Sequence, residues 1–123
     1  MRRGQHFLVD DCVAKRQVAY AALNKKDVVL EIGAGKGALT RHLAKTAGRV
    51  IAIEIDTELA IGLQNIENVE LMRCDALEVD FNTLSFNKVV ANLPYQISSP
   101  VTFKLLEHSF DLGILMYQKE FAD

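Results

Sequence analysis

Residues 89–98 read VVANLPYQIS, and the middle of that stretch is chemically unusual. The apolar run Val89-Val90-Ala91 gives way to an amide at Asn92, then Leu93, the rigid Pro94 and the aromatic Tyr95. Asn92 offers a side-chain carbonyl, and Leu93 offers a main-chain carbonyl that Pro94 helps to fix. Two such acceptors can grip both N–H bonds of a planar exocyclic amine. Tyr95 adds a face on which a base can stack, worth ~1–3 kcal/mol. Acceptors drawing on the N–H bonds leave the amine lone pair more available to attack a methyl group. The chemistry suggested is amino-group alkylation. Taken alone, a β-turn with a core-facing tyrosine is the better explanation of the stretch.

Three other places carry residues of the right type. Glu31-Ile-Gly33-Ala-Gly35-Lys-Gly37 follows an apolar run. Its glycines permit positive φ and let a ligand come close to the backbone, and the helix start beyond them offers free amides. The spacing is G-x-G-x-G rather than the dinucleotide fingerprint G-x-G-x-x-G, which makes a nicotinamide dehydrogenase the weakest reading. Glu54, about 20 residues further on, can accept hydrogen bonds from both hydroxyls of a ribose. Asp75, in Arg73-Cys74-Asp75-Ala76-Leu77, can accept from an adenine amino group, although Asp is also a common turn residue. Together, Gly33, Gly35, Glu54 and Asp75 point to an adenosine-containing cofactor.

These residues need elements to position them. Asp10 or Asp11 can cap a first helix running to about Leu23. Asp27–Ile32 and Arg49–Glu54 read as buried parallel strands, rich in β-branched residues. Further strands are expected at Val69–Met72, Lys88–Ala91 and Leu112–Tyr117, with helices near Ala38–Thr46, near Glu58–Leu63 and from Ser98 or Ser99 to about Glu107. Pro100 suits the first turn of the last of these. The tail Gln118–Asp123 reads as the start of another helix. The alternation predicts an α/β fold, a Rossmann-like parallel sheet with helices on both faces and right-handed crossovers. In such sheets ligands sit beyond the carboxyl ends of the strands, and the polar and glycine anomalies fall there: after Ile32, at Glu54, at Asp75 and at Asn92.

Composition narrows the class. The chain has 123 residues, half of them hydrophobic, and a net charge of −2, which suits one globular domain with a real core. No stretch approaches the ~20 apolar residues of a membrane span, and no apolar signal core follows the basic N-terminus. Cys12 and Cys74 show neither metal spacing nor a disulfide framework, so a reducing cytoplasm is expected. The near-neutral charge argues against a dedicated polyanion binder.

The quoted motifs resemble the S-adenosylmethionine-dependent rRNA adenine N6,N6-dimethyltransferases, the KsgA-type family to which the erythromycin-resistance methylases are related. Gly4-Gln5-His6-Phe7-Leu8 is similar to the family's N-terminal Gln-Asn-Phe-Leu motif, with His6 departing from its usual residue. Ala91-Asn-Leu-Pro-Tyr-Gln-Ile-Ser-Ser-Pro100 looks closer to the archaeal and eukaryotic branch. The resemblance implies that Gln5, His6, Leu8, Gly33, Gly35, Glu54, Asp75 and Asn92 line the cofactor site. Glu54 would hold the ribose and Asp75 the adenine amino group. Asn92, Leu93, Pro94 and Tyr95 would position the target adenine N6. The implied reaction is two methyl transfers to each of two adjacent adenines of small-subunit rRNA, by positioning rather than through a covalent enzyme intermediate. A role in ribosome biogenesis follows.

Members of that family are roughly twice as long, which exceeds one small domain. The chain is therefore expected to be the N-terminal part of the catalytic domain, residues 1–123, without the last strands and the helical RNA-binding domain. Leu112–Tyr117 is then expected to be an exposed edge strand through which the chain self-associates. Two further functions fit the same residues: a non-catalytic cofactor-binding module for ribosome assembly, and an N-methyltransferase acting on DNA or a small molecule.

Overall fold

The computed structural model describes residues 12, 15, 16, 18–93, 100, 104 and 112–117, with only the backbone described for 92, 93 and 112–117. Five strands form one parallel sheet: β1 (Val28–Ile32), β2 (Arg49–Ile53), β3 (Val69–Met72), β4 (Lys88–Leu93) and β5 (Leu112–Tyr117). Their order is β3-β2-β1-β4-β5. The chain runs outward from β1 to β3 and then returns to place β4 on the other side of β1. That reversal opens a crevice at the carboxyl ends of β1 and β4.

Why these segments pair follows from their side chains. β1 and β2 are almost wholly buried, and their alternating residues feed two cores. Leu30, Ile32, Ile51, Ile53, Val89 and Ala91 pack on one face around Phe81. Val29, Val50, Ala52 and Val90 pack on the other, against Leu39, Leu43 and Leu63. The second face is covered by helices α1 (Ala38–Thr46) and α2 (Thr57–Gly62). α1 buries Leu39, Thr40 and Leu43, and Lys45 in its last turn complements the helix dipole. α2 is capped by Asp56, whose carboxylate accepts from the Leu59 N–H at 3.0 Å.

The first face has no α-helix between β3 and β4. Two short 3-10 turns, Ala76–Glu78 and Phe81–Thr83, cross beneath it instead. Phe81 is 1% exposed, and its burial contributes roughly 1.5–3 kcal/mol.

The expected elements are found, with shifted ends. β4 continues two residues past the expected Ala91, because Asn92 and Leu93 pair with Met116 and Tyr117 of β5. Residues 12, 15, 16 and 18–21 are helical, but the helix ends before the expected Leu23. Ala22 has a φ of 49°, and the Lys88 ammonium donates to the Ala21 and Ala22 carbonyls at 2.9 and 3.1 Å, closing the helix there. β2 stops at Ile53, which leaves Glu54 just beyond the strand. Pro100 and Lys104 are helical, as expected. The helix cap at Asp10 or Asp11 and the helix expected over 118–123 lie outside the described residues.

Candidate functional site

Register brings the sequence-predicted residues together. Ile32 pairs with Ile53 on one side and Ala91 on the other, so Gly33, Glu54 and Asn92 emerge side by side from the same sheet edge. The Gly33 and Ala34 N–H groups both donate to Ile53 O, at 2.9 and 3.3 Å, which bends the loop toward β2. Gly33, Gly35 and Gly37 have φ of 76°, 57° and 87°, a left-handed run that only glycine adopts without strain. Among the described residues, a side chain added at Gly35 would meet only Gly33 O, 4.0 Å away, which leaves room for a ligand beside this turn.

Glu54 is 6% exposed and held by the backbone at both ends of its carboxylate. Oε1 accepts from Gly35 N–H at 2.6 Å and Oε2 from Asp56 N–H at 2.9 Å. A carboxylate has about four acceptor directions, so two remain for a pair of hydroxyls while the group itself stays fixed. Asp75 stands three residues past β3 and caps the 3-10 turn, its Oδ1 accepting from Leu77 N–H at 2.9 Å. Its charge, that of Glu78 and, above all, burial push the Cys74 thiol above its ordinary range. Asn92 and Leu93 lie in β4, but their side chains, together with Gln5, His6, Leu8, Pro94 and Tyr95, lie outside the described residues.

An open groove of about 830 Å³, lined by Lys25, Arg41, Lys45, Gly48 and Asn68 among others, lies elsewhere. Lys25, Gly48 and Asn68 precede β1, β2 and β3, so the groove reaches the amino ends of the strands, remote from the glycine loop. The glycine loop, Glu54 and Asp75 lie instead at the carboxyl ends of the strands. Among the described residues no three His, Cys, Asp or Glu side chains gather to hold a metal ion.

With this geometry in hand, the comparisons with known proteins are decisive. The family model for ribosomal RNA adenine dimethylase matches residues 1–123. The chain belongs to that family.

This chain is 54% identical over 123 residues to a protein of Methanococcus maripaludis named a probable ribosomal RNA small subunit methyltransferase A, covering 97% of this chain and 47% of that protein. It thus spans about half the length of the curated relatives it matches. Its fold matches a crystal structure of a dimethyladenosine transferase from Plasmodium falciparum, with a TM-score of 0.77 and 36% identity over 87% of this chain and 41% of that one. An RNA methyltransferase from Salinibacter ruber, solved with S-adenosyl-L-homocysteine, matches with a TM-score of 0.68 and 25% identity over 77% of this chain and 66% of that one. The family is one of S-adenosylmethionine-dependent methyltransferases with a Rossmann-like fold.

The same sheet edge also holds a pair that sequence reasoning did not assign. Glu31, inside β1, is 1% exposed; Thr40 of α1 donates to its Oε1 at 2.5 Å, and its Oε2 has no partner among the described residues. Burial pushes its carboxyl up to about 7, the Thr40 hydrogen bond opposes this, and the charge of Glu54 adds to it. The signal was present: an acid interrupts the apolar run Val28-Val-Leu-Glu-Ile32 of a central strand.

Proposed function

We propose that this chain carries the cofactor site and part of the target-base site of an enzyme that dimethylates N6 of two adjacent adenines in small-subunit rRNA during ribosome biogenesis. The observation that carries this reading is Glu54, clamped by Gly35 and Asp56 N–H groups beside an open glycine turn on the sheet edge that also carries Asn92. The names of the relatives support it.

The described residues fit S-adenosylmethionine. Gly33 and Gly35 give its main chain room, Glu54 takes the ribose hydroxyls, and Asp75 takes the adenine amino group. Bound there, S-adenosylmethionine supplies an electrophilic methyl group on sulfonium sulfur. Asn92 and the Leu93 carbonyl hold the target amine by its N–H bonds, and Tyr95 stacks on the base. Gln5, His6 and Leu8 close over the methionine end. The residues act by holding reactants in line, and such orientation can lower a barrier by several kcal/mol. A target base that starts in a stack must leave it, at a cost of a few kcal/mol. Among the described residues no helix is long and apolar enough to cross a membrane; it is the proposed rRNA substrate that suggests a cytoplasmic setting.

Calorimetry with S-adenosylmethionine on this chain and on Glu54→Ala tests the site. The variant should lose at least 10-fold in affinity, because its alanine can neither accept the ribose hydroxyls nor hold Gly35. Equal affinity in the two proteins would defeat the proposal.

A further inference from the structure

Lys104 lies 27 and 28 residues from the groups it binds. It is a half-buried helical residue in the segment that follows β4. Its ammonium donates to Leu77 O at 2.8 Å and to Ala76 O at 3.1 Å, and stands 4.8 Å from the centre of the Phe81 ring. Ala76 and Phe81 are 4% and 1% exposed, so one end of this contact is embedded in the core. The two carbonyls belong to the 3-10 turn that Asp75 caps.

Asp75 and Lys104 therefore hold one turn from two sides. Asp75 binds it from within, through Leu77 N–H to Oδ1 at 2.9 Å, and Glu78 N–H returns to the Asp75 carbonyl at 2.9 Å. Lys104 binds it from outside, through the Leu77 carbonyl and through the Ala76 carbonyl, which also accepts from Val79 N–H at 3.3 Å. An ammonium suits the place: it has three donors for two carbonyls, and its charge is attracted to the ring face. A neutral side chain of the same length could fill the space but could not bind the carbonyls.

We infer that Lys104 is a positioning residue for adenine recognition: its ammonium fixes the turn that aims the Asp75 carboxylate, and ties that turn to the segment downstream of Asn92–Tyr95. The inference rests on the cofactor site proposed above, with Asp75 as acceptor for the adenine amino group. It goes further by assigning a second residue, remote in sequence, on which the choice between a 6-amino and a 6-oxo purine depends. Lys104 does not touch the cofactor; it acts through Asp75.

The test compares S-adenosylhomocysteine with S-inosylhomocysteine, in which a 6-oxo group replaces the amino group. Calorimetry on this chain should give a preference for the adenosyl compound of roughly 10- to 100-fold, the range for a hydrogen bond to a charged acceptor. Lys104→Met should cut that preference to a few-fold, Lys104→Arg should restore most of it, and Asp75→Asn with Lys104→Met should discriminate no worse than Asp75→Asn alone. If Lys104→Met weakens both ligands equally and keeps the ratio, Lys104 is structural only and the inference is wrong. The same holds if a melting loss occurs with the ratio unchanged. If the unmodified chain binds neither compound, the cofactor site itself is refuted and the inference falls with it. Binding without discrimination refutes Asp75 as the adenine acceptor but leaves the ribose site standing.

Discussion

Glu31 shows how one residue can oppose its own fold. Its carboxyl is buried in β1 with one oxygen unpartnered among the described residues, so ionising it in place is unfavourable. Burial raises its pKa from 4.5 to about 7. Between those values the folded chain keeps a proton that the unfolded chain releases, so stability falls as pH rises, and the loss is complete above pH 7. The shift corresponds to a penalty on the order of 3 kcal/mol. Glu31→Gln removes the titration: in ligand-free protein it should melt several degrees higher than the parent at pH 8 and about equally at pH 5. Identical pH dependence of melting in the two proteins would show that Glu31 does not titrate in this range.

At the level of elements, the opposite end of the sheet shows a contrasting design, in which a buried charge is matched. Asp27 is 5% exposed and sits where the helix over 18–21, β1 and β4 meet. Its Oδ1 accepts from the Asn87 side chain at 2.8 Å, and its Oδ2 from Asn24 N–H at 2.9 Å and Lys88 at 3.0 Å. The Asn87 hydrogen bond, then those from Asn24 and Lys88, hold this carboxyl below its usual range, so its contribution is present at neutral pH and is lost as pH falls into the acid range. Asn87 also accepts from Val28 N–H at 2.7 Å, so the network fixes where β1 begins. Lys88→Met should destabilise by about 3 kcal/mol, the low end for breaking a buried pair, because Asn87 and Asn24 still satisfy Asp27. Urea unfolding should show a lower midpoint with an unchanged slope. An unchanged midpoint would mean that the ion pair contributes nothing. Cofactor affinity should hold, since the network lies at the far end of the strands from Glu54.

For the molecule as a whole, the strand order of the described residues places β5 at one edge of the sheet and β3 at the other. β5 is Leu112-Gly-Ile-Leu-Met-Tyr117, without a charge to discourage pairing, whereas β3 carries Glu70. An edge of this composition is a template for another strand. The 123-residue chain is therefore expected to self-associate, and sedimentation velocity should show dimers or larger species that increase with concentration. A concentration-independent monomer would contradict this. Lysine at Ile114, in the middle of β5, should shift the distribution toward monomer.

Much of this protein was legible in its sequence because the signals were local. Apolar, β-branched runs marked the strands, and the left-handed turn needed Gly33, Gly35 and Gly37. The sheet rule alone gathers Glu54, Asp75 and Asn92 at one edge. Ends of elements were less legible, because partners distant in sequence decide them: β5 extends β4 through Leu93, and Lys88 closes a helix at Ala22. Side-chain roles were hidden for the same reason. Glu31 read as part of a glycine motif, and the fold buries it under Thr40; Lys104 carried no sequence signal, and the fold brings it to the turn of Asp75. Sequence alone determined which residue types were available and which strand ends would hold them. Tertiary structure decided what each carboxylate and ammonium meets, because burial and hydrogen bonding depend on neighbours that chain order does not specify.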